Sequence, residues 1–479
     1  MPNMNDNNDN SKTNQGFLHE GHKAPVTRRE FLSQGILGFS GMIALPTFLG
    51  LSFRKAYGAE CGAQSANPVA VSFMVFDMAG GAALPGNFLV GGKGGPKDYL
   101  SSYDRLGWDP KAAGALNEDF GLPLSAKSSQ ILQGILTTSS VEARKNLRMG
   151  SLCHFAQDDT STNRLNAGTL ILKASQPGLF IGTGLGLKKT ASGGNSDPVI
   201  NELALKPTYI EDIGDLTSAT KFGGAPYATL SKKQLKALAT GAVKLGGVQS
   251  ANLMGFTGGP TLADLSKCAY DKSLEFLDGV AGLDPRQDAK VATAYGINAQ
   301  TNSRDPKAIS AALAMNAIKG FSGPAVWTLG GCDYHDGTQT TGDGKDLAMG
   351  QEIGRAVETA FQLKRPFFFQ LLTDGGVDAQ PGSRQWRGDS GDKCMTVLGF
   401  YNPKAPVEME RLQVGHYTDG QGADRSTLVG SSPALVAYAV LANYLNCFGM
   451  LSKFNDYAPG IFTGAGELKS VLLFKETKV

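Results

Sequence analysis

Four apolar runs stand out along the chain: VAVSFMVF at 69–76, AVWTL at 325–329, FFFQLL at 367–372 and MTVLGFY at 395–401. None alternates strictly between apolar and polar positions, so each suits a strand buried on both faces, as in a parallel sheet covered by helices. Helical spacing fills the intervals. DPKAISAALAMNAIKG, 305–320, opens on a capping Asp305 and ends in Gly320. DLAMGQEIGRAVETAFQLK, 346–364, carries apolar residues at helical steps and must stop before Pro366. SSPALVAYAVLANYLN, 431–446, offers Ser432 as N-cap and Pro433 in the first turn. Alternating strands and helices predict an α/β fold with a mostly parallel, doubly wound sheet.

The stretch 160–320 breaks that rhythm. It holds the glycine-rich segments GTGLGLKK (182–189) and ASGGNSDP (191–198), expected to be loops, and helical runs such as SKKQLKALATGAVKL (231–245). A helical, loop-rich insertion over the sheet is expected there. Glycine is abundant everywhere, 62 of 479 residues, against an average share of about 7%. No period repeats, so tight loops explain it better than low complexity. A hydrophobic content of 41% and a charged content of 18% suit a chain with a real core. With 45 basic against 43 acidic residues, nothing draws the whole chain to nucleic acid or a membrane surface.

Residues 1–26 are Asn-rich and polar, a composition that favours disorder. TRREFLSQG follows, with Arg28 and Arg29 ahead of Phe31 and Leu32, then the apolar run ILGFSGMIALPTFLGLSF and small residues for cleavage in AYGA, 56–59. This is similar to a bacterial twin-arginine export signal, which implies passage through the Tat translocon and a periplasmic or extracellular home. The competing reading is a membrane anchor. Gly35, Gly38, Gly41 and Pro46 make a poor stable span, and no later segment is long and apolar enough to cross a bilayer. The expected organisation is a leader and signal over 1–60 and one α/β domain over 61–479, with 160–320 as the insertion.

Export permits disulfides. Cys61, Cys153, Cys268, Cys332, Cys394 and Cys447 are far apart and form no CxxC, which argues against a zinc ribbon and leaves pairing open. GGKGGPK, 91–97, lacks the Lys-Ser/Thr ending of a phosphate loop and reads as a flexible turn. GTGLGLKK lacks the third spaced glycine of a dinucleotide fingerprint, and no GxSxG elbow occurs. A redox enzyme with a large cofactor would have only the export signal in its favour.

The candidate chemistry lies at the strand ends. Only five histidines occur, and two of them, His19 and His22, lie in the polar leader. VAVSFMVF runs into Asp77, AVWTLGG into Asp333 and His335, FFFQLLT into Asp374, and RLQVG into His416. Open α/β sheets bind ligands outside the carboxyl ends of their strands. Carboxylates and imidazoles gathered there call for a cation, and their donor set suits zinc or manganese. Each residue alone has an ordinary explanation, as a helix cap or a satisfied histidine. Arg384 and Arg387, in PGSRQWRGDSGDK, could clamp an anion or be solvated loop arginines. His154 either joins the site or packs beneath it.

In order along the chain, the export signal, FDMAGG, CHFAQDD, GCDYH, TDGGV and VGHYTDG resemble the DUF1501 family of exported bacterial proteins, related to the alkaline phosphatase and sulfatase superfamily. The resemblance covers most of 25–450, and GCDYH is its nearest segment. It implies a three-layer α/β/α sandwich in which Asp and His hold two metals beside a Ser or Thr nucleophile. This chain departs from that pattern. Ala82 and Ala83 stand where the nucleophile is sought, Gly375 where a phosphatase pairs Asp with His, and Gly415 where an Asp precedes the late histidine. Thr160, Ser161 and Thr162 are other hydroxyl candidates. The sequence therefore supports an exported metal-dependent hydrolase of phosphate or sulfate esters. The alternative is a non-catalytic periplasmic or cell-surface binding or assembly protein with a degenerate metal site.

Overall fold

The computed structural model describes residues 72–156, 163–175, 178, 180–187, 207–220, 280–336, 339–373, 375–379, 386–389 and 391–477, with six helical positions between 233 and 244. The leader and export signal, ASGGNSDP, most of 231–245, Thr160–Thr162, Asp374 and Arg384 lie outside the described residues. The chain divides into one unit of Phe53–Thr229 with Glu275–Val479 and another of Met1–Ser52 with Leu230–Leu274. Every element below belongs to the first.

Its strands in chain order are β1 (Phe73–Met78), β2 (Leu116–Asn117), β3 (Leu124–Ser125), β4 (Leu147–His154), β5 (Leu185–Leu187), β6 (Thr208–Ile210), β7 (Ala325–Leu329), β8 (Phe367–Thr373), β9 (Val377–Ala379), β10 (Trp386–Asp389), β11 (Cys394–Tyr401) and β12 (Gln413–Val414). Eight of them form one sheet, β12-β4-β11-β8-β1-β7-β5-β6, while β2-β3 and β9-β10 pair separately. Only β11 runs against its neighbours; the other strands share one direction. The fold is mixed α/β with a mostly parallel sheet.

All residues of β1, β8 and β11 are buried, as continuous apolar runs require. The reversal of β11 follows from its connection. The chain returns from β8 through the β9-β10 hairpin with no helix among the described residues of this connection, and without a long crossover the next strand comes back antiparallel.

The principal helices are α1 (Gln130–Thr138), α2 (Gly168–Ala174), α3 (Ile213–Ala219), α4 (Ala289–Tyr295), α5 (Pro306–Ile318), α6 (Gln339–Leu363) and α7 (Pro433–Cys447). Asp305 caps α5 by accepting from the Lys307 and Ala308 amides, and Pro306 opens its first turn. Tyr444 of α7 meets Phe73 and Phe368 edge-on, at ring separations of 5.9 and 5.8 Å. On the alternate residues, the Trp327 indole of β7 donates to Ser310 of α5 at 2.8 Å.

One expectation changes. GTGLGLKK is not wholly a loop: Leu185–Leu187 is a strand because its backbone pairs with both β6 and β7. The 160–320 stretch thus extends the main sheet as well as supplying helices. Cys153, Cys332, Cys394 and Cys447 are buried, and no disulfide joins any pair among the described residues. No described helix is long and apolar enough to cross a membrane.

Helix α6 starts seven residues earlier than the sequence pattern indicates and packs closely along α1. Glycines line the crossing: Gly134 of α1 faces α6, and Gly350 and Gly354 of α6 face α1. A Cβ added to Gly350 would run into the Ile131 carbonyl, and one on Gly134 would meet the Leu347 carbonyl at 2.5 Å. Thr138 Oγ1 donates across the gap to the Gln351 carbonyl at 3.0 Å. Overpacking such a contact costs roughly 1–3 kcal/mol. Gly350→Ala is therefore expected to lower the free energy of unfolding by about that amount, measured by denaturant titration; an unchanged midpoint would mean the two helices part freely.

Candidate functional site

Three neighbouring strands end together. In β1, Asp77 pairs in register with Thr328 of β7 and Leu372 of β8, and Met78 with Leu329 and Thr373. Asp77 is fully buried within the strand rather than after it. The β1-β7 pairing does not stop where the strands stop. Ala79 N–H donates to the Leu329 carbonyl at 3.0 Å, Cys332 N–H to the Ala79 carbonyl at 3.0 Å, and Tyr334 N–H to the Gly81 carbonyl at 3.2 Å. This main-chain zipper carries GGCDYH alongside MAGG.

Gly80 makes the approach possible. Its φ of +117° belongs to glycine, and a Cβ there would lie 2.8 Å from Asp333 N and 2.9 Å from Asp333 Oδ1. Thr373, the last residue of β8, fastens the same turn: its Oγ1 donates to the Gly80 carbonyl at 2.6 Å and accepts from Ala82 N–H at 3.0 Å. With donor and acceptor both committed, that hydroxyl fixes the backbone instead of serving as a nucleophile. Ala82 and Ala83 beside it are buried. Asp333 and His335 are exposed, and His335 sits in the 3-10 turn Tyr334–Asp336. Lys345 Nζ donates to the Gly330 carbonyl at 2.6 Å, closing the other side of the loop.

His416 lies elsewhere. Gly415, with φ of +71°, turns the chain after β12, and His416 Nε2 stands 3.1 Å from Asp424 Oδ2. Asp424 N–H also donates to the His416 carbonyl at 2.9 Å. Hydrogen bonds from Ser426, with His416 and Lys93 nearby, hold the Asp424 carboxyl below its usual range. Five inter-strand steps separate β12 from β7, so their ends lie roughly 24 Å apart across the sheet. Asp419, which follows His416 more closely in sequence, is not its partner. Arg387 does not lie apart: it is in β10, paired in register with Asp378, and β10 packs against the Tyr334–Asp336 turn that carries His335.

His154 ends β4 fully buried. Its Nδ1 is 2.9 Å from the Phe155 carbonyl and its Nε2 is 2.9 Å from Thr396 Oγ1. Since a carbonyl only accepts, Nδ1 carries the proton and Nε2 accepts from the threonine in the neutral ring. Burial pushes its pKa down to about 4.

Sequence reasoning passed over Tyr334, Asn87 and Asp346, which join beneath the loop. Tyr334 Oη lies 2.8 Å from Asp346 Oδ1, and Asn87 Nδ2 donates to Asp346 Oδ2 at 2.7 Å. Ser129 Oγ donates to Asn87 Oδ1 at 2.9 Å while capping α1. A signal for Asp346 was present: it falls in helical phase with buried Met349, Ile353, Val357 and Ala360.

Among the described residues, no group of three or more His, Cys, Asp or Glu could hold a metal ion. Comparison with models of protein families, with curated proteins and with solved structures finds no match. For His154, NMR of the imidazole should show a neutral ring down to about pH 5, half-protonated near pH 4. Because its pKa is depressed, the associated stability is present above about pH 6.5 and is lost as the pH falls toward 4. A midpoint near 6.5 would contradict the buried, doubly bonded ring.

Proposed function

We propose that this chain is an exported hydrolase-like protein of the DUF1501 type, with an alkaline-phosphatase-like three-layer α/β/α sandwich. In this reading the joined ends of β1, β7 and β8 hold a divalent cation, zinc or manganese, and accept a phosphate or sulfate ester. Helices meeting alternate faces of the sheet support the layering: Tyr444 packs on Phe73 and Phe368, while Ser310 bonds Trp327. The single observation that carries the site is the zipper that brings Asp333 beside Gly80, at the end of the strand bearing Asp77.

The donors fit one cation better than two. Asp333 and His335 offer a carboxylate and an imidazole open to solvent. They need a further acid, and Asp374 follows directly on Thr373, whose register with Met78 puts the end of β8 beside β1. Asp333, His335 and Asp374 would hold the ion, with Asp77 behind them. A bound cation would polarise the ester oxygen and make water or a hydroxyl a better nucleophile. The chain's own contribution is placement. Thr373 and the zipper fix the turn, and in this reading Arg384 and Arg387 would neutralise an anionic substrate.

A second reading, a non-catalytic binding or assembly protein with the same fold, draws on a specific observation. The two histidines that could serve a second metal are engaged, His416 with Asp424 and His154 with Phe155 and Thr396. Metal analysis of the purified protein with assay of generic phosphate and sulfate esters separates the two. The hydrolase reading expects about one zinc or manganese per chain. It also expects His335→Ala to lose the metal and, on the order of 100-fold or more, the turnover. Metal lost in that variant from a protein without turnover would favour the binding reading. Metal retained in it, or none bound at the outset, would overturn this site.

A further inference from the structure

We propose that protonation of Asp346 fastens the loop carrying Asp333 and His335 to helix α6, so that the loop is held most firmly in acid and loosens toward neutral pH. The proposal concerns the loop's attachment and stands whether or not the loop binds a metal.

A count of protons motivates it. Tyr334 Oη lies within hydrogen-bond distance of two acceptors, the Gly342 carbonyl at 3.1 Å and Asp346 Oδ1 at 2.8 Å, and has one proton to give. With Asp346 ionised, one of those contacts lacks a hydrogen. With Asp346 protonated, its Oδ1–H donates to Tyr334, the Tyr334 hydroxyl donates to Gly342, and Asn87 still donates to Oδ2. Every short contact is then satisfied, inside a site where an unmet polar group is costly.

The surroundings favour the neutral form. Asp346 and Tyr334 are 6% and 2% exposed, so a charge on either is poorly solvated. Among the described residues, the groups facing Asp346 supply no compensating cation. Tyr334 comes from the loop, the neutral amide of Asn87 from the segment after β1, and Ser129, bonded to Asn87, from the cap of α1. On α6 itself, Asp343 adds a like charge, and Lys345 directs its ammonium at the Gly330 carbonyl. Burial above all, with the charge of Asp343, pushes the Asp346 carboxyl up to about 7, against the opposing pull of Asn87 and Tyr334.

The direction of the effect follows from linkage. A carboxyl whose pKa is raised when the loop is docked binds its proton more tightly in the docked state. The attachment is then complete below the ordinary carboxyl range, near pH 4, and declines as the pH rises to about 7, where it levels off. Across that window each pH unit changes the opening equilibrium by up to about tenfold. His154 acts on overall stability in the opposite sense over nearly the same range, so a melting curve would mix the two. The readout has to be local.

Hydrogen exchange of peptides spanning 330–346, corrected for the intrinsic pH dependence of exchange, supplies it. In the purified full chain the protection of this segment should fall by at least tenfold between pH 5 and 7.5 and then stay level. Asp346→Asn preserves the geometry, with its amide donating to Tyr334 and its carbonyl accepting from Asn87, and should keep protection high and independent of pH. Tyr334→Phe should lower protection in acid and flatten the profile. A flat wild-type profile would overturn the proposal, and so would an Asp346→Asn profile that still slopes like the wild type. Because the wild-type profile is decisive by itself, the test survives a variant that does not fold.

Discussion

The pairing of β1 with β7 beyond the ends of both strands is the constraint on which the site depends. Parallel strands ordinarily part company once their ladder ends, and the loops after them go their own ways. Here three main-chain hydrogen bonds, from Ala79, Cys332 and Tyr334, continue the contact into MAGG and GGCDYH. The continuation requires a backbone at Gly80 that has no side chain toward Asp333. Thr373 ties the same turn to β8. The positions of Asp333 and His335 are thus set by backbone geometry before any ligand is considered, which is how a rigid scaffold confers precision on a loop.

Beneath that backbone lies a polar layer in an otherwise apolar setting. Ser129, Asn87, Asp346 and Tyr334 connect the cap of α1, the segment after β1, helix α6 and the GCDYH loop. Buried networks of this kind specify one arrangement when satisfied and weaken it when a proton is missing. The glycine-lined crossing of α1 and α6 belongs to the same construction, because it brings the Ser129 cap and Asp346 to opposite sides of Asn87. Packing and polar satisfaction converge on a single loop.

The strands that carry the core were legible because they are long and apolar, and β7, β8 and β11 fall where the hydrophobic runs stand. The cap of α5 was legible from Asp305 and Pro306 and the start of α7 from Pro433, though Ser432 at the N-cap position makes no side-chain capping bond. Other elements were hidden for physical reasons. Arg148, Gly150 and Ser151 dilute β4, which is a strand because β11 and β12 pair along its two sides. The two residues of β12 are too few to give any period. The direction of β11 leaves no trace in composition, since a run buried on both faces reads alike either way. For the site, sequence order placed candidate residues after strands, but partnership depends on lateral position. His416 meets Asp424 at one side of the sheet while Asp333 meets Gly80 at β1.

Anomalous diffraction from crystals of the full chain grown with manganese tests the central claim most directly. One peak is predicted outside the ends of β1, β7 and β8, with donors from Asp333, His335 and Asp374 at about 2.0–2.6 Å. A peak beside His416 and Asp424 instead, or an Asp374 carboxylate turned away from Asp333 with no ion between them, would contradict it.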